Sequence, residues 1–268
     1  MWALLVVLFV CCIYLYLIKP NRRRAEAAFF AKQMYAHRGL HDDENGIPEN
    51  SLPAFKHAME KGYGVELDVQ LTADNVPVVF HDENLLRMCG VDKNVREVTC
   101  QELKEYRLKN SEERIPLLAE VLELLGQTPI LCEIKTYPNK NLAVCAAVAD
   151  TLKKHNCSVC IESFNPLAVR YFKKHMPEIV RGQLSMDFSK SDAGISPLTK
   201  VLLQNLLFDF YAKPDFIAFQ HTDKKCFSFS LCRKLYQPFC FAWTVISPAE
   251  AEMAKPYFDT VIFERYLP

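Results

Sequence analysis

No charge of either sign prevails in this chain: 32 lysines and arginines face 32 aspartates and glutamates. The balance removes the broad electrostatic pull that a basic protein exerts on nucleic acid, and no nucleic-acid partner is expected. No internal repeat and no low-complexity stretch stands out, so a repeat architecture has no support. Disulfides are not signalled either. Of 11 cysteines, Cys11 and Cys12 lie in the first apolar run, and the others are scattered, often within apolar strand-like segments. Such an odd, irregular set fits reduced core thiols. The lone Cys157-Ser-Val-Cys160 lacks the second ligand pair that marks a zinc site.

Charge is also missing from residues 1–18, which are almost wholly apolar. As a helix they span roughly 27 Å, close to the roughly 30 Å hydrocarbon core of a bilayer. No positive segment precedes the run and no small-residue cleavage site follows it, which argues against a cleaved signal. The expectation is one transmembrane helix over 1–18. Lys19, Arg22, Arg23 and Arg24 follow at once and should hold the body of a single-pass membrane protein in the cytoplasm. Residues 19–33 read as a basic linker with a short helix, and 34–268 as one domain.

Within 34–268, apolar strand-like runs alternate with helical patterns. The strand candidates are 34–37, 65–71, 130–135, 158–163, 179–184, 216–220, 239–245 and 260–264. The helical patterns are 51–61, 117–125, 141–155, 166–175, 197–210, 228–236 and 248–255. Repeated alternation implies parallel strands with helical crossovers, and eight such units imply a closed (β/α)8 TIM barrel. No helix follows the last strand, and the short helix before the first is expected to cover that gap. Residues 76–80 read as an extra extended segment. Residues 82–116 read as a long insertion with helical character near 99–108, of the kind that builds an active-site mouth.

Polar residues at the strand ends point to chemistry. Glu66 and Asp68 stand two apart in an apolar strand, so they share a face. Glu133 and Lys135 repeat the pattern in another apolar run. Bare anions side by side in a core are costly unless a cation lies between them. Glu66, Asp68 and Glu133 form a hard oxygen set suited to Mg2+ or Ca2+. The structural alternative is a buried ion network in which they pair with Lys135 and Arg38. His37 and His81 also fall at strand ends, and two imidazoles can supply a base and an acid. Arg38 and Lys135 offer a fork and a point charge for phosphate.

The motifs Ala36-His37-Arg38-Gly39, Glu49-Asn50-Ser51, Glu66-Leu-Asp68-Val, Thr72-Ala-Asp74 and Val78-Val-Phe-His81-Asp82 follow in that order. Ile115-Pro-Leu-Leu118, Glu133-Ile-Lys135, Ser163-Phe-Asn165 and Trp243-Thr-Val245 extend the series. Over roughly residues 34–268 the chain resembles the glycerophosphodiester phosphodiesterases, most specifically in its N-terminal third. The resemblance implies a barrel that hydrolyses glycerophosphodiesters to glycerol 3-phosphate and an alcohol. It makes Glu66, Asp68 and Glu133 the metal ligands, His37 and His81 the acid–base pair, and Arg38 and Lys135 phosphate contacts. Glu49 becomes a metal-site or supporting carboxylate, and with Trp243 it is counted among the substrate-facing residues. Ser51 stands where threonine is commoner. The stretch 186–212 does not match well and leaves the leaving group open.

Two other functions remain in play. A membrane-anchored enzyme of this kind suits lysophospholipids, which makes it a lysophospholipase D. A non-catalytic lipid- or phosphate-binding barrel needs a site residue to be lost, and none is. Metal-dependent release of glycerol 3-phosphate separates the classes.

Overall fold

A two-residue strand closes this molecule on itself. The computed structural model describes residues 1–22, 25–137, 142–190 and 194–268. Among these the strands are β1 (Tyr35–Ala36), β2 (Gly64–Leu71), β3 (Pro77–Val79), β4 (Ile130–Ile134), β5 (Val159–Ser163), β6 (Val180–Ser185), β7 (Phe216–Gln220), β8 (Phe239–Val245) and β9 (Thr260–Phe263). Short β1 pairs in parallel with both β2 and β9. The remaining neighbours run in parallel in the order β9-β8-β7-β6-β5-β4-β2. Eight parallel strands thus form a closed barrel. The ninth, β3, is the extra extended segment, and it lies antiparallel on the end of β2.

The helices are α1 (Trp2–Leu17), α2 (Ala25–Phe30), α3 (Leu52–Glu60), α4 (Leu86–Cys89), α5 (Cys100–Leu103), α6 (Leu118–Leu125), α7 (Ala143–Leu152), α8 (Pro166–His175), α9 (Pro197–Gln204), α10 (Asp209–Ala212), α11 (Phe227–Tyr236) and α12 (Pro248–Ala254). The start of the expected 141–155 helix lies outside the described residues. The side chains Asn165, Ser196 and Ser247 cap α8, α9 and α12, each followed by proline in the first turn. The outer layer buries Phe55, Val121, Leu122, Val148 and Phe172 with the outward strand residues Leu67, Val69, Cys132 and Ile161. Tyr35, Leu131, Cys160, Leu184, Phe216, Phe241 and Ile262 fill the barrel interior. A Cβ at Gly182 would fall 2.1 Å from the Phe216 ring, so glycine there gives that ring its room.

Three expectations need correction. The first is the transmembrane helix over 1–18. The apolar run does form a helix, but α1 has 16 residues, about 24 Å. Its last turn belongs to the barrel. Ile18 is fully buried with Ile217, Phe219, Phe229 and Cys232. Tyr14 Oη lies 2.5 Å from Ser228 Oγ, and Tyr236 Oη donates to the Leu15 carbonyl at 2.7 Å. No helix among the described residues is long and apolar enough to cross a membrane. Arg23 and Arg24 of the flanking basic run lie outside the described residues.

The second concerns the helix before the first strand. Helix α2 does not replace a missing outer helix. Its Ala27 and Phe30 join the interior cluster with Tyr35, whose hydroxyl donates to the Phe30 carbonyl at 3.0 Å. It therefore plugs the end of the barrel where the strands begin. The third concerns 197–210, which divides into α9 and α10. Leu206, at φ +56°, breaks the run. Residues 191–193 of the 186–212 stretch lie outside the described residues.

The insertion 82–116 carries its own small core of Leu85, Met88, Val95, Val98, Leu103 and Leu108, packed on Val78 and Phe80. Helix α5 begins at Thr99, whose hydroxyl and Glu102 form a capping box. This core fixes α4 beside the strand ends.

Candidate active site

Strand alternation puts Glu66 and Asp68 on one face of β2, and parallel pairing sets Asp68 directly against Glu133 of β4. The three carboxyl groups are buried, and each offers an oxygen within 4.8 Å of the others. Asp68 accepts from Asn50 Nδ2 at 2.9 Å, and Lys135 Nζ lies 2.9 Å from its other oxygen. The same ammonium is 2.8 Å from Glu133 Oε1. Glu66 Oε2 accepts from the Arg38 backbone N–H at 2.9 Å. That contact depends on an unusual turn. Arg38 sits at φ +56° and Gly39 at φ +82°, and a Cβ at position 39 would strike the backbone of Ala54 at 2.8 Å.

The electrostatics of the trio are lopsided. Burial, then Asp68 and Glu133, push the Glu66 carboxyl well above the ordinary range. Burial also raises Glu133, although Lys135 pulls it down. For Asp68 burial pulls upward too, but Lys135, His81 and Arg38 outweigh it and hold the group low. So the protein supplies one firmly ionised carboxylate and two that resist ionising without more positive charge. That donor set, all oxygen and no thiol, fits a divalent hard cation.

Each expected histidine has a carboxylate behind it. His37 Nδ1 lies 2.6 Å from Glu264 Oε2, at the end of β9. His81 Nδ1 lies 2.7 Å from Asp82 Oδ1. An ionised carboxylate only accepts, so the Nδ1–H of each ring donates to it and Nε2 is turned away from that carboxylate. Burial is the main influence on His37 and lowers its pKa, with Glu264 opposing. The hydrogen bond from His37 holds Glu264 at about 2.

Glu49 stands behind Arg38 rather than among the three acids. It accepts from Arg38 Nη1 at 2.7 Å and takes a two-pronged grip from Arg87 at 2.7 and 2.8 Å. Burial pulls Glu49 upward, but Arg87 and Arg38 outweigh it and bring it to about 2. Arg87 Nε also donates to Asp82 Oδ2 at 2.5 Å. One guanidinium therefore ties the partner of His81 to the partner of Arg38. Trp243 lies on β8, across the barrel from β4 in the strand order. Its ring meets Phe164 edge-on at 5.5 Å, and Phe164 meets Phe188 at 6.0 Å.

The structure thus brings Glu66, Asp68, Glu133, Lys135, Arg38 and both histidines to one end of the barrel, with Glu49 in support. Sequence reasoning gave no role to Asp82, Glu264, Asn50 or Arg87. Asp82 and Glu264 had a signal, since both end a strand or its extension. Arg87 had none, because it reaches in from the insertion. His221 pairs instead with Glu250 of α12 at 3.5 Å, and His41 stands 3.9 Å from the second oxygen of Glu264.

A sequence model described as the glycerophosphoryl diester phosphodiesterase family matches residues 37–223. The chain is 40% identical over 164 residues to a glycerophosphodiester phosphodiesterase of Caldanaerobacter subterraneus, a match covering 56% of this chain and 65% of that protein. It is 34% identical over 147 residues to a lysophospholipase D of Homo sapiens, covering 50% of this chain and 45% of that protein. These matches therefore span about half to two thirds of the relatives' lengths. Among solved structures, a glycerophosphodiester phosphodiesterase from Thermotoga maritima is similar at a TM-score of 0.65 and 26% identity, covering 86% of this chain and 93% of that one. An Oleispira antarctica phosphodiesterase, solved with its product sn-glycerol-3-phosphate, shares the fold at a TM-score of 0.73 and 24% identity, covering 88% and 94%.

Proposed function

Because this chain belongs to the glycerophosphoryl diester phosphodiesterase family, we propose that it hydrolyses glycerophosphodiesters to glycerol 3-phosphate and an alcohol. One observation carries the reading: three buried carboxylates share a space 4.8 Å across, beside two imidazoles braced by carboxylates. Glu66, Asp68 and Glu133 would hold Mg2+ or Ca2+. When bound, such a cation polarises a phosphoryl oxygen. Arg38 and Lys135 neutralise charge growing on the phosphoryl group. His37, kept neutral by burial, takes the proton from the nucleophile at Nε2. His81 gives a proton to the departing alcohol oxygen as its bond to phosphorus breaks. The nucleophile is water or the neighbouring glycerol hydroxyl, and the second gains from proximity. Glu49 holds Arg38 in place, and Trp243 faces the substrate from the opposite wall.

Purified protein tested on a panel of diesters, with and without chelator, decides the matter. Metal-dependent release of glycerol 3-phosphate is the expected result. Its absence with every cation tried would remove the reading and favour a binding barrel.

Lysophospholipids form a second reading, favoured by how α1 is set. Tyr14 meets Ser228 and Ile18 meets Cys232, four residues on in each chain segment. So α1 runs in the same sense as α11, which descends from the strand-end face of a parallel barrel. Residues before Tyr14 then project from the face that holds the acids, with Trp2, Leu5, Leu8 and Phe9 exposed. A helix apolar on every side suits lipid better than a protein groove. In this reading it dips into the cytoplasmic leaflet without crossing, and the body lies in the cytoplasm.

A further inference from the structure

Beside the three carboxylates, one more buried acid has no part in the scheme above. Glu162 lies on β5, directly paired in register with Glu133, and is 1% exposed. Two residues earlier Cys160 packs in the barrel interior with Tyr35, Leu131 and Phe216. Alternation therefore turns Glu162 inward as well, one layer nearer the strand ends. Its carboxyl group is close enough to interact with Glu133, Glu66, Lys135 and Asp68.

The neighbouring acids are all engaged. Glu66 has the Arg38 amide, Asp68 has Asn50 and Lys135, Glu133 has Lys135, and Glu264 has His37. Glu162 Oε2 is shut off from solvent and has no hydrogen-bond partner among the described residues. A buried oxygen left in that state is costly and calls for a partner that arrives later. The oxygens that converge within 4.8 Å and would hold a cation come from Glu66, Asp68 and Glu133, which leaves Glu162 for another partner. Glu162 stands beside that set on the neighbouring strand, where it would face a substrate bound there. A phosphate is drawn instead to the cationic Lys135 and Arg38 beside Asp68. A neutral polyol hydroxyl can pair with the Glu162 carboxyl whether or not that group is ionised.

We propose that Glu162 is the specificity-determining residue for the glycerol half of the substrate and hydrogen-bonds one of its free hydroxyls. The assignment rests on the hydrolytic reading given above. A site that pairs with a hydroxyl strongly rejects an analogue lacking it, since its own polar group is then left unpaired.

The test pairs residue and hydroxyl in a cycle. Wild type, Glu162→Met and Glu162→Gln are assayed on glycerophosphocholine and on its 2-deoxy and 3-deoxy analogues. Wild type should lose about 10- to 100-fold in kcat/KM on one analogue. In Glu162→Met that gap should close, and Glu162→Gln, which keeps an acceptor, should restore part of it. Calorimetric binding of glycerol 3-phosphate and the matching deoxy phosphate, with cation present, should show the same pattern without turnover. The proposal falls if wild type accepts both analogues as well as the parent, a result that needs no variant to fold. It falls equally if the gap is the same in wild type and Glu162→Met. Failure of wild type to release glycerol 3-phosphate from any diester would instead sink the hydrolytic reading itself.

Discussion

His37 and Glu264 meet at 2.6 Å although 227 positions separate them. They join the first and last strands of the barrel at the rim where the acids gather. Glu264 fixes the tautomer of His37 and partly offsets the fall in its pKa due to burial. Two consequences follow for Glu264→Gln. Turnover should fall roughly 10²- to 10⁴-fold, the range of acid–base catalysis. Since Glu264 raises the His37 pKa, its loss should also move the acid limb of the kcat/KM profile to lower pH. In wild type that limb should already lie below pH 6.5, because the folded-state value is lowered. A limb that shifts upward in the variant would contradict the arrangement. The same lowered value makes His37 a stabilising group above the unfolded-state pKa of about 6.5, and this contribution fades as pH falls toward the folded-state value.

Cation binding should release protons. Glu66 and Glu133 are raised by burial and by their acidic neighbours, so without a cation the folded protein retains protons above the ordinary carboxylate range. The stability associated with those protons is present at low pH and is lost as pH rises through the folded-state values. Affinity for Mg2+ or Ca2+ should therefore climb with pH, and calorimetry in buffers of different ionisation enthalpy should detect proton release. Asp68→Asn should abolish both binding and activity. Equal affinity across pH, with no proton release, would mean that the trio is a structural ion network.

The strands and the three acids were legible because parallel barrel strands are buried on both faces and read as apolar runs. Carboxylates inside such runs stand out. What stayed hidden was whatever depends on a partner distant in sequence. Ile18 looks the same whether it meets lipid or Phe229, so the docking of α1 could not be read from its hydropathy. Leu206 carries no glycine or proline signal, yet it adopts a left-handed conformation and divides α9 from α10. Glu162 sits in an apolar run like Glu133, but no second polar residue on its face drew attention to it.

Arg87 should behave as a positioning residue. It binds Glu49 with two nitrogens and Asp82 with two, and so holds Arg38 and His81 through their partners. Arg87→Ala should lower kcat by about 10- to 100-fold with little change in melting temperature. Arg87→Lys keeps the charge but loses the planar fork, so it should recover only part of the activity. Full recovery in the lysine variant would show that charge alone matters there. Added guanidinium should rescue the alanine variant more than the lysine one.

Removal of residues 1–13 separates the two substrate readings while sparing the docked turn. Tyr14, Leu15 and Ile18 keep their contacts with α11, so the barrel should melt as before. Activity on glycerophosphocholine in solution should persist, because the truncated segment touches none of the acids or histidines. On lysophospholipid presented in vesicles, the full chain should turn over substrate faster than the truncated one and should float with anionic vesicles. Salt should leave that flotation largely unchanged, since apolar insertion is insensitive to screening. If the truncated and full chains act equally on vesicles and neither floats, the exposed helix contributes nothing to substrate supply, and soluble diesters remain the substrate class.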